Sequence, residues 1–262
     1  MGQDSVVKID IERGVLTATL ADHENRNALG AQLVGELRAA IVQGNNDDSV
    51  RAIVVTNEGS TFCAGANLKE RSSGAGPKKD SGGIVELFQE IQASPTPVLG
   101  RVDGHVVGGG NGLVAVFDVS IASEKAKFGF TEVRLGVAPA MISVVCLPKM
   151  RHGDAMEAFL RGNRFSAERA AELGLINRAV AHEDLSAAME EVLDDLRLAG
   201  PKALGEAKRL IYEVNRLDQD EAFKWTTQVS NELFASEEAS EGMKAFLEKR
   251  APAWAEIEGE SE

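Results

Sequence analysis

The stretch TFCAGANLKE, residues 61–70, decides most about this chain, together with GGGNG at residues 108–112. Both segments place small residues where a strand is expected to give way to a loop or to the start of a helix. Small residues leave backbone N–H groups uncovered, so one amide from each segment can meet on a single carbonyl oxygen and hold it as it becomes negative. The two segments therefore predict a class of reaction before any acid or base is identified.

Around these segments, the first half of the chain alternates predicted strands and helices. Residues 6–11 and 15–20 alternate apolar and polar side chains about a turn, which predicts a β-hairpin. Apolar residues at helical spacing predict helices at 27–42 and around 84–91. Short apolar runs predict strands at 52–55, 98–102 and 119–122. This alternation predicts an α/β fold with largely parallel sheets.

The second half is predicted to be mainly helical, with helices at 155–160, 167–173, 185–196, 201–214 and 221–234. Ser166 is expected to cap the second of these helices and Gly174 to end it. We therefore divide the chain into a core at 1–199 and a helical C-terminal subdomain at 200–262, which is expected to pack on the core or on a neighbouring subunit. The Gly-, Ser- and Lys-rich stretch 71–83 is predicted to be a mobile surface loop.

Composition limits the possible partners and compartment. The 262 residues are 44% hydrophobic and 26% charged, which is typical of a soluble globular protein. The net charge of −13 argues against a nucleic acid or an anionic membrane as partner, since phosphate binding needs a basic surface. The sequence shows no signal-peptide pattern and no run approaching the ~20 apolar residues that span a bilayer. Cys63 and Cys146 lack metal-site spacing and are expected to be free thiols, so we expect a cytoplasmic protein.

Several catalytic motifs are absent, which leaves one carboxylate as the main candidate. GGGNG does not match GxGxxG, and the chain has neither a P-loop nor a GxSxG elbow. The four histidines have no ligand spacing, so no metal is expected. Glu132 lies in a largely apolar run, where burial would raise its pKa and suit it to proton transfer near neutral pH. Two simpler interpretations are that Glu132 pairs with Arg134 or caps a helix, and that the glycine run is a plain turn.

In this order, the motifs resemble those of the enoyl-CoA hydratase/isomerase (crotonase) family over about residues 6–254. The segments that carry the resemblance are NRNAL at 25–29, FCAGANLKE at 62–70, DGH at 103–105 before the glycine run, AKFG at 126–129 before Glu132, AELGLI at 171–176 and EGMKAFLEKR at 241–250. The resemblance implies a spiral of ββα turns with a helical C-terminal region. It also implies a homotrimer or a hexamer built as a dimer of trimers, and no cofactor besides the coenzyme A of the substrate.

The resemblance also implies roles for individual residues. The backbone N–H groups of Ala66 and Gly109 would form an oxyanion hole for the thioester carbonyl of an acyl-CoA, and Glu132 would be the acid/base group. Phe246 and Lys249 would meet the adenine and phosphate end of coenzyme A, from this or a neighbouring subunit, and the C-terminal subdomain would serve trimerisation and cover the coenzyme. The residues implied along the coenzyme path are Asn25, Ala28, Ala64, Asn67 and Leu68.

Three positions depart from the family pattern. Gly112 stands where the two-acid hydratases carry their first glutamate, Asn67 replaces the usual aspartate, and VAPAMIS at 137–143 replaces a GGTQ-like turn. A glycine cannot deprotonate water, and losing one acid/base group costs ~10²–10⁴-fold in rate. We therefore expect Glu132 to shift a double bond alone or to act as the base for water with help from Asn111 or a backbone group. Gly112 is predicted to leave room beside the α-carbon for a branched acyl group, and VAPAMIS resembles members acting on branched or glutaconyl-type thioesters.

Other functions remain open on the same residues. Decarboxylation or thioester hydrolysis could occur on the same scaffold, and a non-catalytic acyl-CoA binder would have lost catalysis with the glutamate at position 112. A serine peptidase is set aside, because no serine stands at the helix start after the glycine run.

Overall fold

The computed structural model describes residues 5–72 and 83–255. The described chain begins with strands β1 (Val7–Glu12) and β2 (Val15–Leu20), which pair antiparallel as a hairpin. Arg13 and Gly14 in the turn have φ angles of 47° and 72°. Two consecutive residues in this left-handed region form the tight turn whose twist matches that of the strands. The predicted hairpin is confirmed.

Two sheets contain the strands of the described chain. The six-stranded sheet has the order β1-β2-β3-β5-β7-β10 and adds β3 (Ala52–Asn57), β5 (Val98–Val102), β7 (Val119–Ser123) and β10 (Arg178–Val180). The four-stranded sheet consists, in order, of β4 (Thr61–Cys63), β6 (His105–Val107), β8 (Lys127–Gly129) and β9 (Phe165–Ser166). All pairs except β1–β2 and β8–β9 are parallel, which confirms the predicted α/β class.

From β3 to β8, successive strands alternate between the two sheets, and each strand of the small sheet is followed by a helix. Helices α2 (Leu68–Ser72) and α3 (Ile84–Ala93) follow β4, α4 (Gly109–Val116) follows β6, and a 3-10 helix (Thr131–Leu135) and α5 (Ala140–Cys146) follow β8. Each ββα unit therefore makes one turn of a spiral. Because β4, β6 and β8 are parallel, their carboxyl ends lie at one edge of the small sheet.

Helix α1 (Ala31–Asn45) covers the large sheet and begins later than predicted. The predicted start at Asn27 is wrong because Arg26 and Asn27 both have φ angles of 54°, outside the helical region. Leu29 instead pairs with Ala66 as an isolated parallel bridge. The core beneath α1 contains Leu33, Leu37, Leu16 and Ile53, which are almost completely buried.

The rest of the described chain is mainly helical, as predicted. It forms α6 (His152–Arg161), α7 (Ala167–Glu172), α8 (Leu185–Leu198), α9 (Pro201–Glu213), α10 (Gln219–Phe234) and α11 (Glu237–Glu248). Ser166 Oγ accepts from Arg169 N at 3.2 Å and Gly174 has a φ angle of 81°, so the predicted cap and end of α7 are confirmed. Helix α11 was not predicted as a separate element.

A buried ion pair attaches the last helices to the core. Lys208 Nζ on α9 lies 2.7 Å from Asp118 Oδ2, just before β7, and donates to Ile91 O at 2.7 Å. The division at residue 200 stays a prediction. Most of the loop predicted at 71–83 lies outside the described residues, but residues 71 and 72 belong to α2. Among the helices that the structure describes, none has both the length and the apolar character that crossing a bilayer requires.

Candidate active site

The first of the two predicted amides belongs to Ala66, which follows β4. Gly65 has a φ angle of 87°, which brings the chain alongside the segment before α1. There Leu29 N donates to Gly65 O at 2.7 Å and Ala64 N donates to Arg26 O at 3.2 Å. Asn67 Oδ1 then accepts from the amides of Lys69 (3.1 Å) and Glu70 (3.3 Å). Asn67 thus caps α2, a role that an aspartate would fill equally well.

The second predicted amide belongs to Gly109, the first residue of α4. Gly108 has a φ angle of 54° and ψ of −124°, and its amide donates to Gly129 O at the end of β8, at 2.9 Å. This conformation suits glycine alone and turns the chain sharply from β6 into the helix. The N–H of Gly109 is therefore one of the uncovered amides at a helix N-terminus, where the helix dipole favours negative charge.

The structure brings these two amides together. A Cβ added to Gly65 would lie 3.0 Å from Gly109 N, and one added to Gly109 would lie 3.5 Å from Ala66 N. Within residues 5–72 and 83–255, neither amide donates to a backbone or side-chain acceptor. The two N–H groups are thus neighbours with free hydrogen-bonding capacity, which is the arrangement that an oxyanion hole requires.

Glu132 lies beside the same turn, in the 3-10 helix after β8. Its Oε1 would lie 3.3 Å from a Cβ at Gly108, and its buried Oε2 has no hydrogen-bond partner among the residues that the structure describes. Burial raises the pKa of this carboxyl, and a hydrogen bond from its own backbone offsets part of the rise. The described chain shows neither a pair between Glu132 and Arg134 nor a helix cap, because Arg134 Nη2 donates to Arg161 O and no side-chain cap is formed.

Gly112 is not open to the substrate, so the predicted room beside the α-carbon is wrong. A Cβ at Gly112 would lie 2.5 Å from Ile142 Cγ2, 2.9 Å from Ile142 Cβ and 3.0 Å from Phe88 Cε2. Ile142 on α5 and Phe88 on α3 are themselves 4% and 5% exposed. The missing side chain therefore allows three helices to approach one another closely, and it creates no cavity.

We expect Gly112→Ala to destabilise the chain without adding activity. The new methyl group overlaps Ile142, and overpacking of this kind costs ~1–3 kcal/mol. Gly112→Glu should give no gain in hydration of a straight-chain enoyl-CoA, because the Cβ of the glutamate would overlap Ile142 in the same way. Chemical unfolding measures the first effect and a hydration assay the second.

Gly35→Ala is the matched control for this substitution. Gly35 is exposed in α1, and an added Cβ meets nothing within 4 Å. Alanine there should raise stability by ~0.5–1 kcal/mol. If Gly112→Ala is as stable as the wild type, the packing against Ile142 does not exclude a side chain.

The residues implied along the coenzyme path fall into two groups. Asn25, Ala28, Ala64, Asn67 and Leu68 come together on the two adjacent segments before α1 and around Ala66. Lys69 Nζ also donates to Asn25 Oδ1 at 3.2 Å, a contact that sequence reasoning missed. Phe246 is 83% exposed on α11, and Lys249 is the C-cap of the same helix. Within a single chain, Phe246 is therefore not packed against the amides of Ala66 and Gly109.

An open cleft of about 1090 Å³ lies away from these residues, between the core and helices α9 and α10. Pro95, Pro97 and Arg51 line one side of the cleft, and Lys208 and Tyr212 line the other. None of the residues predicted for the site borders it. We place the candidate site at the amides, because the chemically active groups converge there.

Cys63 ends β4 close to the first amide, but its thiol is not suited to nucleophilic attack. The side chain is fully buried, and burial raises the pKa of this thiol to about 12. Burial raises the pKa of the Cys146 thiol as well. Since the thiolate is the reactive form, we expect an aromatic disulfide reagent to label neither thiol of the native protein and both after denaturation. Rapid labelling of native Cys63 would contradict this expectation.

Comparisons with known proteins agree in pointing to one family. The family model for enoyl-CoA hydratase/isomerase matches residues 10–257. The enoyl-CoA hydratase EchA19 of Mycobacterium tuberculosis is 31% identical over 258 residues, which cover 96% of each chain. A carnitinyl-CoA dehydratase of Proteus mirabilis is 30% identical, covering 92% of this chain and 95% of its own. The crystal structure of an enoyl-CoA hydratase of Mycobacterium smegmatis matches 96% of this chain and 99% of its own, with a TM-score of 0.90 and 30% identity.

Proposed function

This chain belongs to the enoyl-CoA hydratase/isomerase family of enzymes and has the crotonase fold, and from that premise we propose that it forms an enolate from an acyl-CoA thioester. In this proposal the amides of Ala66 and Gly109 form the oxyanion hole, and Glu132 is the single acid/base group. The observation that carries the proposal is the meeting of two unused amides beside a half-buried carboxyl group.

The two amides would act on the thioester carbonyl. When a proton leaves the α-carbon, or when a nucleophile adds to the β-carbon, negative charge accumulates on the carbonyl oxygen. Two N–H groups held in advance stabilise that charge without having to reorganise during the reaction. The N-terminal end of α4 adds the favourable field of the helix dipole at the same point.

Glu132 would move the proton. In a double-bond shift, its carboxylate takes a proton from the α-carbon of a 3-enoyl thioester and returns it to the γ-carbon, so the atoms balance without water. In hydration, it takes a proton from water as the oxygen bonds to the β-carbon, and the α-carbon then receives a proton. Burial raises the pKa of Glu132, which makes its carboxylate a stronger base and so favours the uptake of a proton that either reaction needs.

The packing around Gly112 supports chemistry that uses one carboxylate. A side chain at position 112 would already overlap Ile142 and touch Phe88 at its first carbon atom. Both hydrogens of Asn111 Nδ2 are donated to main-chain carbonyls, so this group is not available to hold water. A double-bond shift requires Glu132 alone, whereas hydration by two acids does not fit these residues.

The proposal extends to assembly and location. Four apolar side chains that follow Glu132 in the chain are each more than half exposed: Leu135, Val137, Val144 and Leu160. Such apolar side chains support association with further copies, as a homotrimer or a hexamer built as a dimer of trimers. In that assembly the region 200–262 would serve trimerisation and cover the coenzyme, with Phe246 and Lys249 at its adenine and phosphate end. The free thiols Cys63 and Cys146 support a cytoplasmic location, and coenzyme A would enter only as part of the substrate.

A panel of straight, branched and carboxylated enoyl-CoA thioesters tests this function. Mass spectrometry separates a double-bond shift, which leaves the mass unchanged, from hydration, loss of CO₂ and release of free coenzyme A. We expect turnover of at least one thioester by a route that needs Glu132. Tight binding of acyl-CoA with no turnover across the panel would favour a non-catalytic binder instead.

A further inference from the structure

We propose that Asn111 is a positioning residue that fixes the Gly109 amide relative to Glu132. The inference rests on the proposed function, in which these two groups act on one substrate. Asn111 is the third residue of α4, and its side chain is completely buried. It touches neither the carbonyl nor the proton in the proposed reaction, and acts through the main chain on either side of it.

The contacts of Asn111 join the two halves of the site. Its Nδ2 donates to Gly108 O at 3.0 Å and to Gly129 O at 2.9 Å. Gly108 immediately precedes the oxyanion amide, and Gly129 ends the strand that leads to Glu132. Gly108 N also donates to Gly129 O at 2.9 Å. One side chain and one main-chain bond therefore connect the turn after β6 to the end of β8.

This connection fixes the distance between the Gly109 amide and the Glu132 carboxyl group. A Cβ at Gly108 would lie 3.3 Å from Glu132 Oε1, so the carboxyl packs directly against the turn that Asn111 ties down. If Gly108 and Gly129 moved apart, the amide at 109 and the carboxyl at 132 would move apart as well. Displacements of about 1 Å in a catalytic arrangement can cost ~10²-fold in rate.

The amide of Asn111 does not have all of its own hydrogen bonds satisfied. Its Oδ1 is buried and has no hydrogen-bond partner in the part of the chain that the structure describes. The opposite orientation of the amide would place Oδ1 against two carbonyl oxygens, so the donor assignment follows from the network. A buried acceptor without a partner lowers stability. The two hydrogen bonds that Asn111 Nδ2 donates to Gly108 O and Gly129 O offset this cost. Leu113 and Val114, which follow Gly112 in α4, are apolar and also fully buried.

Asn111→Ala and Ser120→Ala form a matched pair of variants. Ser120 is also completely buried, and its Oγ donates to Val114 O at 3.1 Å, near the opposite end of α4. Each substitution removes buried side-chain hydrogen bonds to this helix, but only Asn111 is bonded to Gly108 and Gly129. We expect Asn111→Ala to lower kcat at least ~10-fold with KM little changed, and Ser120→Ala to keep kcat. Equal loss of kcat in both variants would reduce the effect to general stability and overturn the proposal.

Amide hydrogen exchange gives a readout that does not depend on activity. Exchange at Gly108 should be faster in Asn111→Ala than in the wild type or Ser120→Ala, because the bond from Gly108 N to Gly129 O loses its support. Unchanged exchange would overturn the positioning role whether or not a substrate is found. Absence of turnover by the wild type would instead overturn the proposed function, so the two failures are distinguishable.

Asn111→Asp covers the case in which the alanine variant does not fold. Aspartate keeps the shape of the side chain, and its protonated form offers one O–H donor in place of the two N–H donors of the amide, so donation to the two carbonyls is reduced. We expect the same fall in kcat and the same faster exchange at Gly108. An aspartate variant with wild-type kcat and exchange would show that shape alone matters, and would overturn the proposal.

Discussion

Glu132→Gln should lower kcat at least ~100-fold while acyl-CoA binding stays almost unchanged. Glutamine has nearly the same shape as glutamate, so the substrate pocket is preserved, but an amide cannot accept and return a proton. The loss should appear in kcat and kcat/KM alike, because the proton transfer is made only in the transition state. Steady-state kinetics on the best thioester of the panel, with binding measured by calorimetry, checks both parts.

The raised pKa of Glu132 gives this prediction two pH signatures. Catalysis by the carboxylate is lost as pH falls through the raised pKa, so the acid limb of kcat/KM should lie above the range of an ordinary glutamate. For stability the sign is opposite. The folded chain holds this proton more tightly than the unfolded chain, so ionisation destabilises the fold as pH rises through the raised pKa. Glu132→Gln should therefore melt at a higher temperature than the wild type at pH 8, with a smaller difference near pH 4.

Asp118→Asn is the control for a buried carboxyl outside the site. Asp118 is paired with Lys208, and its loss should lower stability because the buried lysine keeps its charge without a full partner. Its kcat should remain that of the wild type. If Glu132→Gln retains wild-type kcat on a thioester that the enzyme turns over, Glu132 has no part in the mechanism.

Gly65→Ala should lower kcat/KM by ~10²–10³-fold, the cost of losing one oxyanion donor. The added methyl group would lie 2.8 Å from Val107 O and 3.0 Å from Gly109 N, both main-chain atoms that cannot move aside alone. The two amides must then separate, or the turn carrying Ala66 must shift. The φ angle of 87° also places alanine in an unfavourable conformation, so stability should fall too.

Gly59→Ala separates backbone strain from crowding. Gly59 has a φ angle of 77°, close to that of Gly65, but an added Cβ would lie 3.5 Å from its nearest neighbour, an ordinary contact. Alanine there should lose ~1–2 kcal/mol of stability and keep wild-type kcat/KM. Kinetics on the folded fraction of both variants makes the comparison. Equal kcat/KM values would mean that the amide pair does not form the oxyanion hole.

The sequence predicted the elements whose signals are local. The hairpin was predictable because Arg13 and Gly14 stand between two alternating strands, and β5 because its apolar run is short and bounded by Pro97 and Asp103. Ser166 was predictable as a cap because its hydroxyl acts within one turn of its own helix. The family resemblance supplied the pairing of Ala66 with Gly109, which no local rule contains.

What the sequence did not predict depends on contacts between distant segments. Helix α1 begins later than predicted because Leu29 pairs with Ala66, and the spacing of apolar residues gives no sign of that bridge. Gly112 was interpreted as open space, since a sequence does not show that Ile142 and Phe88 fill the position. The bonds of Asn111 were likewise hidden, because Gly129 becomes its neighbour only after β6 and β8 pair.

The small sheet has a consequence for how such a protein can diversify. Ala66, Gly109 and Glu132 follow β4, β6 and β8 respectively, each from a separate ββα unit. In the proposed site, the first two units would supply the amides that hold negative charge, and the third would supply the carboxyl group that moves the proton. A change in the loop of the third unit can therefore alter the acid/base group while the amides of the other two units stay in place. The scaffold is modular in this sense.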